Sequence, residues 1–185
     1  MKVYFTASIV GKKHFLPNYL AIINLLTSQN HSVISDHIIN VTPEQVDHSS
    51  KNDRIKFHKN LEGWISSCDF MLVEASFPSM SVGYEISLAL QRNKPVLILY
   101  STGEGPSLFA EHENELLVCE KYSLDNVDSI IMNFINYAKG IQETRFTFYI
   151  TSKIASHLEK KSKEEKVPKS VYLRQLIEKD MASER

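Results

Sequence analysis

The stretch Gly83-Tyr84-Glu85-Ile86 carries the residue best suited to covalent chemistry in this chain. It follows an apolar run at residues 70–73, typical of a buried parallel strand, and a serine-containing turn, and it opens an amphipathic segment. This strand–turn–helix order places Glu85 at the carboxyl end of a sheet, where open α/β folds bind ligands. A carboxylate in the first helical turn is kept ionised by the helix dipole and can attack an electrophilic sugar carbon. The same position also suits a glutamate that only complements the dipole.

Composition and charge exclude several classes of protein. The 185 residues are 43% hydrophobic with a net charge of −1, which suffices for one core and a small appendage. No apolar run reaches the roughly 18 residues of a membrane span, and no signal-peptide pattern opens the chain, so we expect a cytoplasmic protein without a membrane partner. Cys68 and Cys119 lack CxxC spacing, and the seven histidines lack metal-ligand spacing. We therefore predict no disulfide, no metal and no cofactor.

Strands and helices alternate along the first 138 residues. Apolar runs predict five strands, at residues 2–8, 32–35, 69–75, 95–100 and 115–119. Helical spacing predicts the faces Tyr19, Ile22, Ile23 and Leu26; Phe57, Leu61, Trp64 and Ile65; residues 82–92; and Val127, Ile131, Phe134 and Ile135. Thr42-Pro43 and the polar cluster after it predict a mobile loop over residues 38–51. The pattern is typical of the α/β class, with a doubly wound, Rossmann-like or flavodoxin-like, parallel five-stranded sheet.

Residues 139–144 are predicted to link this first domain (residues 1–138) to a small module (residues 145–185). Gly140 would end the preceding helix. Residues 145–150 alternate as in a strand, and two short amphipathic helices follow, around a turn at Val167-Pro168. Because one strand and two short helices cannot bury their apolar faces alone, we predict a homodimer or higher homo-oligomer paired through an antiparallel ribbon.

The first 138 residues resemble the nucleoside 2-deoxyribosyltransferase-like superfamily, and within it the 2'-deoxynucleoside 5'-monophosphate N-glycosidases. Four pieces carry the likeness in chain order: residues 4–9 with Gly11; Ser35-Asp36-His37; Trp64 with residues 69–74; and Pro78-Ser79 through Val82-Gly83-Tyr84-Glu85. The resemblance implies a nucleotide or nucleoside substrate and a double displacement. Glu85 attacks the anomeric carbon and expels the base, and water or a second base then takes the sugar, as in retaining glycosidases.

The resemblance also assigns roles to other residues. Tyr4 would lie beneath the sugar and orient Glu85, unless it is an ordinary core tyrosine. The implied substrate-binding residues are Ser8, Ile9, Gly11, Lys12, His37, Asp69, Ser79, Gly83 and Ser107. Phosphate would bind near the backbone N–H groups of residues 8–11. The N-glycosidases carry an arginine where this chain has Val10, so Lys12 or Lys13 would have to supply the positive charge.

The position of the expected general acid differs from the family pattern. Relatives have an aspartate three residues before the tryptophan that matches Trp64, and this chain has Leu61 there. A local register shift would supply Glu62, and Glu74 is a second candidate. Base protonation is worth roughly 10²–10⁴-fold in rate. Without a substitute acid, the leaving group must be easier to expel or the activity weak.

Residues 144–181 resemble a ribbon-helix-helix module, the fold of many small bacterial repressors and antitoxins. Residues 1–143 hold 11 Lys/Arg against 16 Asp/Glu, whereas residues 144–185 hold 10 against 6, a local balance of +4. In such modules the outward strand residues enter the major groove of DNA, and here these are Arg145, Thr147 and Tyr149. The alternative is that the module only dimerises the protein.

Two functions therefore compete. The first is an N-glycosidase or deoxyribosyltransferase, which Tyr4, Ser79 and Glu85 favour because sensing alone needs no nucleophile. The second is a nucleotide-sensing DNA-binding regulator with a weakened enzyme domain, which Leu61 and the basic tail favour. A third interpretation is an oligomeric nucleotide-binding protein with neither activity.

Overall fold

The computed structural model describes residues 1–106, 109, 114–141, 150–165, 169, 172–173, 176–177 and 179–180. Its strands are β1 (Lys2–Ala7), β2 (Ser32–Ile34), β3 (Phe70–Glu74), β4 (Val96–Tyr100) and β5 (Leu117–Lys121). Its helices are α1 (Lys12–Ser28), α2 (Asp36–Ile39), α3 (Pro43–Asp47), α4 (Lys51–Ser67), α5 (Met80–Gln91), α6 (Val127–Ile141) and α7 (Ser152–Glu165). The chain forms two compact units, Met1–Glu143 and Thr144–Arg185. The predicted strand at 145–149 and the candidates Ser107, Arg145, Thr147 and Tyr149 lie outside the described residues.

The first unit is a five-stranded sheet in the order β2-β1-β3-β4-β5, with every neighbouring pair parallel. This is the flavodoxin-like order, so the predicted doubly wound parallel sheet is confirmed. Successive strands are added in one direction from β1 to β2 and in the other direction from β3 to β5, so the topological switch point lies between β1 and β3. The carboxyl ends of these two strands are aligned, since Ala7 is paired with Glu74. Ligands of such sheets bind at this edge.

Each face of the sheet is covered by its own hydrophobic cluster. Val3, Phe5 and Leu72 pack with residues of α1 and α6 on one face. Tyr4 and Met71 pack with residues of α4 and α5 on the other face. Because successive side chains of a strand point to opposite faces, strands covered on both faces require almost continuous apolar runs. The site residues of β1 and β3 are divided between the two faces by this alternation.

The predicted mobile loop over residues 38–51 is wrong. Helices α2 and α3 occupy half of this stretch, and α4 begins at its last residue. Thr42 is the N-cap of α3, its side chain and that of Gln45 form a capping box, and Pro43 stands at the first helical position. The Thr-Pro pair that suggested a loop is therefore a helix start, since proline at that position loses no hydrogen bond. Ser50 and Asp53 form a second capping box at the start of α4.

Two helix boundaries also differ from the predictions. Helix α5 begins at Met80 rather than at residue 82, because Ser79 caps it by accepting from the Val82 backbone N–H. Helix α6 continues through Gly140 to Ile141, so Gly140 does not end it. Strand β5 is displaced by two residues, from the predicted 115–119 to Leu117–Lys121. In the part of the chain that the structure describes, no helix is long and apolar enough to cross a membrane.

Candidate active site

A buried hydrogen bond joins Tyr4 of β1 to Glu85 of α5. The Tyr4 hydroxyl donates to Glu85 Oε2 at 3.0 Å. Tyr4 is fully buried and Glu85 is 5% exposed. The phenol therefore holds one oxygen of this buried carboxylate in a fixed orientation.

The electrostatics of Glu85 are set by burial more than by the helix dipole. Glu85 lies in the second turn of α5, and the first turn holds no acidic residue, so the prediction that Glu85 stands in the first helical turn is wrong. Loss of solvent raises its pKa above the usual value, while Thr6 and the Tyr4 hydrogen bond lower it. The Thr6 hydroxyl faces the carboxyl group without completing a hydrogen bond to any described residue. Burial and the nearby Glu85 raise the pKa of Tyr4 far above its usual range, so its hydroxyl remains a donor.

His37 lies in an aromatic box beside this pair. Its ring stacks on Tyr4 with centroids 4.9 Å apart and on Trp64 at 5.0 Å, and Phe57 approaches it at 6.2 Å. His37 is 6% exposed, and neither ring nitrogen has a hydrogen-bond partner among the described residues. Burial lowers its pKa to about 4, so the imidazole is neutral at physiological pH.

Two loops at the carboxyl ends of β1 and β3 are in direct contact. The Ser8 hydroxyl accepts the Gly11 backbone N–H at 3.1 Å, which closes the first loop. A Cβ added at Gly11 would lie 2.6 Å from Phe77 Cβ in the second loop, so only glycine lets the two backbones approach so closely. Ser79 follows at the N-cap of α5. The contact brings the loops of Ser8 and Ser79 together beside the helix N-terminus, where backbone donors favour an anion.

Two other predicted residues of this region have specific neighbours. The Lys12 ammonium donates to the carbonyl of Ile39 at 3.0 Å and also to that of Val41, which holds the segment after α2 against α1. Ile9 packs on the cluster that contains α1. Gly83 has open space around its Cβ position. Lys12 is therefore engaged with backbone oxygens, whereas Lys13 is exposed.

The structure does not bring two of the predicted site residues into this cluster. Asp69 accepts the Lys2 backbone N–H at 2.7 Å at the amino ends of β1 and β3, the opposite edge of the sheet. Glu62 lies on the outer side of α4, half-exposed, with its carboxylate 3.9 Å from both His58 and Arg92. Leu61, at the position of the expected acid, is buried in the cluster that contains Tyr4.

Glu74 belongs to a separate polar group on the other face of the sheet. Val73 packs with the Tyr4 cluster, and the alternation of β3 turns Glu74 the other way. Its Oε1 accepts from the hydroxyls of Tyr122, at 3.1 Å, and Ser76, while Oε2 has no partner among the described residues. Burial raises its pKa. Glu74 therefore does not share the Glu85 side of the sheet.

Sequence reasoning missed Thr6 and the aromatic box. Thr6 is two residues from Tyr4 on β1 and so shares its face, a relation that the alternation of a strand gives directly. Phe57 and Trp64 were predicted as one helical face, but their contact with His37 depends on how α2 packs against α4, which no local pattern encodes. No cluster of metal-ligating side chains occurs among the residues that the structure describes.

The arrangement combines four chemical elements at one edge of the sheet. Glu85 can act as a nucleophile or a base, Tyr4 is a neutral donor that orients it, His37 is enclosed in an aromatic box, and the two loops offer backbone donors that favour an anion. Together they fit a small molecule with an aromatic base and an anionic group, in a parallel α/β protein that binds ligands at its topological switch point.

Comparisons with known proteins agree with the parallel α/β fold and identify the family. The fold is similar to that of a 2-deoxyribosyltransferase from Bacillus psychrosaccharolyticus, with a TM-score of 0.51 and 18% identity over 69% of this chain and 90% of the other. A 2'-deoxynucleoside 5'-phosphate N-hydrolase 1 of Nematostella vectensis is 31% identical over 138 residues, 72% of this chain and 92% of that relative. A 5-hydroxymethyl-dUMP N-hydrolase of Tetraodon nigroviridis is 26% identical over 75% of this chain and the whole relative. The chain belongs to the 2'-deoxynucleoside 5'-phosphate N-hydrolase family.

The second unit has its own likeness. Residues 142–179 match the family model described as Ribbon-helix-helix domain. The described part of this unit contains α7, and Leu158 and Tyr172 are buried there. The predicted resemblance of residues 144–181 to such a module is confirmed, within bounds that differ by two residues at each end.

Proposed function

We propose that this chain hydrolyses the N-glycosidic bond of a 2'-deoxynucleoside 5'-monophosphate through a covalent intermediate on Glu85. The observation that carries the proposal is the buried Tyr4–Glu85 hydrogen bond at 3.0 Å. A lone buried carboxylate is costly to ionise, and a cluster that nevertheless fixes its geometry is typical of a site where the carboxylate reacts. Membership of the N-hydrolase family supports the same assignment.

The reaction would proceed by two displacements. The free oxygen of Glu85 attacks C1' while the C1'–N bond breaks and its electron pair departs with the base. Water then cleaves the ester between C1' and Glu85 and restores the carboxylate. Tyr4 keeps its proton throughout and orients Glu85, because burial and the neighbouring carboxylate keep its pKa far above the usual range.

The 5'-phosphate is assigned to the two touching loops. Ser79 caps α5, a helix of 12 residues whose N-terminus favours negative charge, and Ser8 lies in the neighbouring loop. Val10 is half-exposed and brings no charge, and Lys12 is bonded to carbonyl groups, so the phosphate would be held mostly by hydroxyl and backbone donors. We expect weaker phosphate binding than an arginine would give.

Release of free base from a panel of nucleosides and 5'-monophosphates tests the proposal. Incubation with the intact protein should yield base and deoxyribose 5-phosphate from at least one 2'-deoxynucleotide, with Glu85→Gln as the inactive control. Release only when a second base is supplied would assign the chain to transfer instead. No base release from any substrate would remove the enzymatic proposal.

The match of residues 142–179 supports a second role for the C-terminal unit. We propose that this unit pairs two copies of the chain, and that DNA binding by the pair through Arg145, Thr147 and Tyr149 is the alternative function. Light scattering of the full chain should give at least a dimer, and a chain ending at residue 143 a smaller species. Salt-dependent binding of a DNA duplex that Arg145→Ala weakens would favour the regulator, and absence of binding would leave pairing alone.

A further inference from the structure

His37 is a buried polar side chain whose hydrogen-bonding capacity is unused. Each unpartnered buried polar atom costs roughly 1–3 kcal/mol, and a native structure tolerates such an atom chiefly where a ligand or water completes it. Both ring nitrogens of His37 have no partner among the described residues, although the ring is held on both sides by Tyr4 and Trp64. The ring is therefore fixed in orientation while its two buried nitrogens are unpaired within the described part of the chain.

The leaving base needs a donor, which neither Tyr4 nor any predicted candidate for the general acid supplies. When the C1'–N bond breaks, negative charge develops on the base, and a donor aimed at that charge lowers the barrier. The Tyr4 hydroxyl is already committed to Glu85. Leu61 and Phe57 are apolar, Glu62 lies outside among His58 and Arg92, and Glu74 is on the other face of the sheet.

We propose that His37 takes the place of the missing general acid by donating the N–H of its neutral ring to the departing base. This inference rests on the proposed function. The low pKa agrees with a neutral ring, in which one nitrogen carries hydrogen and donates without losing it. The base leaves with the electron pair of the C1'–N bond and takes a proton from water. The remaining hydroxide equivalent cleaves the sugar ester on Glu85, so that one water is consumed overall.

The role makes a leaving-group prediction that base stacking alone does not make. A 2'-deoxynucleotide that the wild type cleaves expels an anionic base that needs a donor. The 4-nitrophenyl 2-deoxyriboside 5-phosphate expels nitrophenolate, which is stable without one. His37→Phe keeps an aromatic ring in the box and removes both nitrogens. It should lower kcat/KM for the nucleotide by about 10²-fold, because one charge-stabilising donor is lost. It should change kcat/KM for the nitrophenyl substrate by less than about threefold.

Matched variants separate this role from a structural one. His37→Gln restores a side-chain N–H and should recover part of the nucleotide activity lost in His37→Phe. His48→Phe makes the same exchange at an exposed histidine and should leave kcat/KM for both substrates unchanged. An unfolding midpoint for each variant establishes that it is folded. If His37→Phe is not folded, His37→Leu, which also removes both nitrogens, is compared on the two substrates in its place.

The outcomes distinguish the inference from the proposed function. Equal losses on both substrates, or an undiminished rate on the nucleotide, would overturn the role of His37 while wild-type turnover leaves the N-hydrolase proposal standing. A wild type that releases neither leaving group would overturn both. A selective loss on the nucleotide supports His37 as the donor.

Discussion

The Tyr4 hydroxyl and the Glu85 carboxylate are joined at 3.0 Å across a sequence separation of 81 residues. The bond connects a central strand of the sheet to the helix that follows its neighbour β3. Glu85 is buried against Tyr4 and Thr6 at the one edge of the sheet where loops of two adjacent strands also meet. A buried carboxylate is thereby fixed by the same elements that form the candidate active site.

Tyr4→Phe tests how this bond tunes Glu85. The Tyr4 hydrogen bond lowers the pKa of Glu85 against the effect of burial, so its removal should raise that pKa further. Because the nucleophile must be ionised, the acidic limb of the kcat/KM profile should move to higher pH. The measurement is the profile for base release in both proteins.

Tyr122→Phe is the matched control for this prediction. It removes a hydroxyl that donates to the other buried carboxyl group, Glu74, on the opposite face of the sheet. Its acidic limb should coincide with that of the wild type. An unmoved limb in Tyr4→Phe, or equal shifts in both variants, would contradict the assignment of that limb to Glu85.

Ser79→Ala tests the phosphate site. If the 5'-phosphate lies at the N-terminus of α5, a monophosphate should exceed its nucleoside in kcat/KM by at least tenfold, about 1.4 kcal/mol, in the wild type. Loss of the Ser79 hydroxyl should shrink that ratio. Comparing two substrates on one protein cancels the stability lost with the helix cap, about 1 kcal/mol.

Ser129→Ala is the matched control. Ser129 is an exposed serine of α6 whose hydroxyl donates to the Asn126 carbonyl at the helix start, and its loss should leave the ratio unchanged. A nucleoside that is the better substrate in the wild type would argue that no phosphate site exists at these loops.

His37 makes stability depend on pH in a direction that can be stated. The unfolded side chain has a pKa near 6.5, and burial lowers it to about 4 in the folded protein. Between these values the unfolded state binds more protons, so stability should be complete above pH 6.5 and fall as pH drops toward 4. The difference amounts to about 3 kcal/mol for this single group.

The check on His37 is the free energy of unfolding from denaturant titrations between pH 4 and 7. As pH falls from 7 to 4, the free energy of unfolding of His37→Phe should decrease less than that of the wild type, because phenylalanine cannot take up the proton. Glu74 and Glu85 have raised pKa values and contribute with the opposite sign, but equally in both proteins. Parallel curves for the two proteins would show that His37 is not buried as a neutral ring.

The sheet could be predicted because its information is local. Five apolar runs separated by helical patterns specify parallel strands buried on both faces, and the positions of Tyr4 and Glu85 at one edge follow from that topology. The start of α5 is less accurately predicted, since Ser79 is its N-cap and the helix begins two residues earlier than its apolar pattern. Thr42-Pro43 is typical both of a turn and of a helix start, and the capping box of Thr42 and Gln45 shows that here it is a helix start.

Other parts of the site depend on tertiary packing. The absence of a partner for His37 follows from its place between Tyr4 and Trp64, which come from a strand and a helix distant in the chain. Asp69, by contrast, opens the predicted strand 69–75, so the direction of that strand alone places it at the amino edge of the sheet. Lys12 was expected near phosphate, and only the fold shows that two carbonyl groups hold its ammonium.

Direct identification of the covalent intermediate is the measurement that tests the central claim. The protein is incubated with a 2'-fluoroarabino nucleotide, since fluorine slows hydrolysis of the sugar ester, and is then acid-quenched and analysed by peptide mass spectrometry. The sugar phosphate should be attached to Glu85, and Glu85→Gln should form no adduct and release base more than about 10³-fold more slowly. An adduct on another residue, or a folded Glu85→Gln protein with near-normal turnover, would contradict the account.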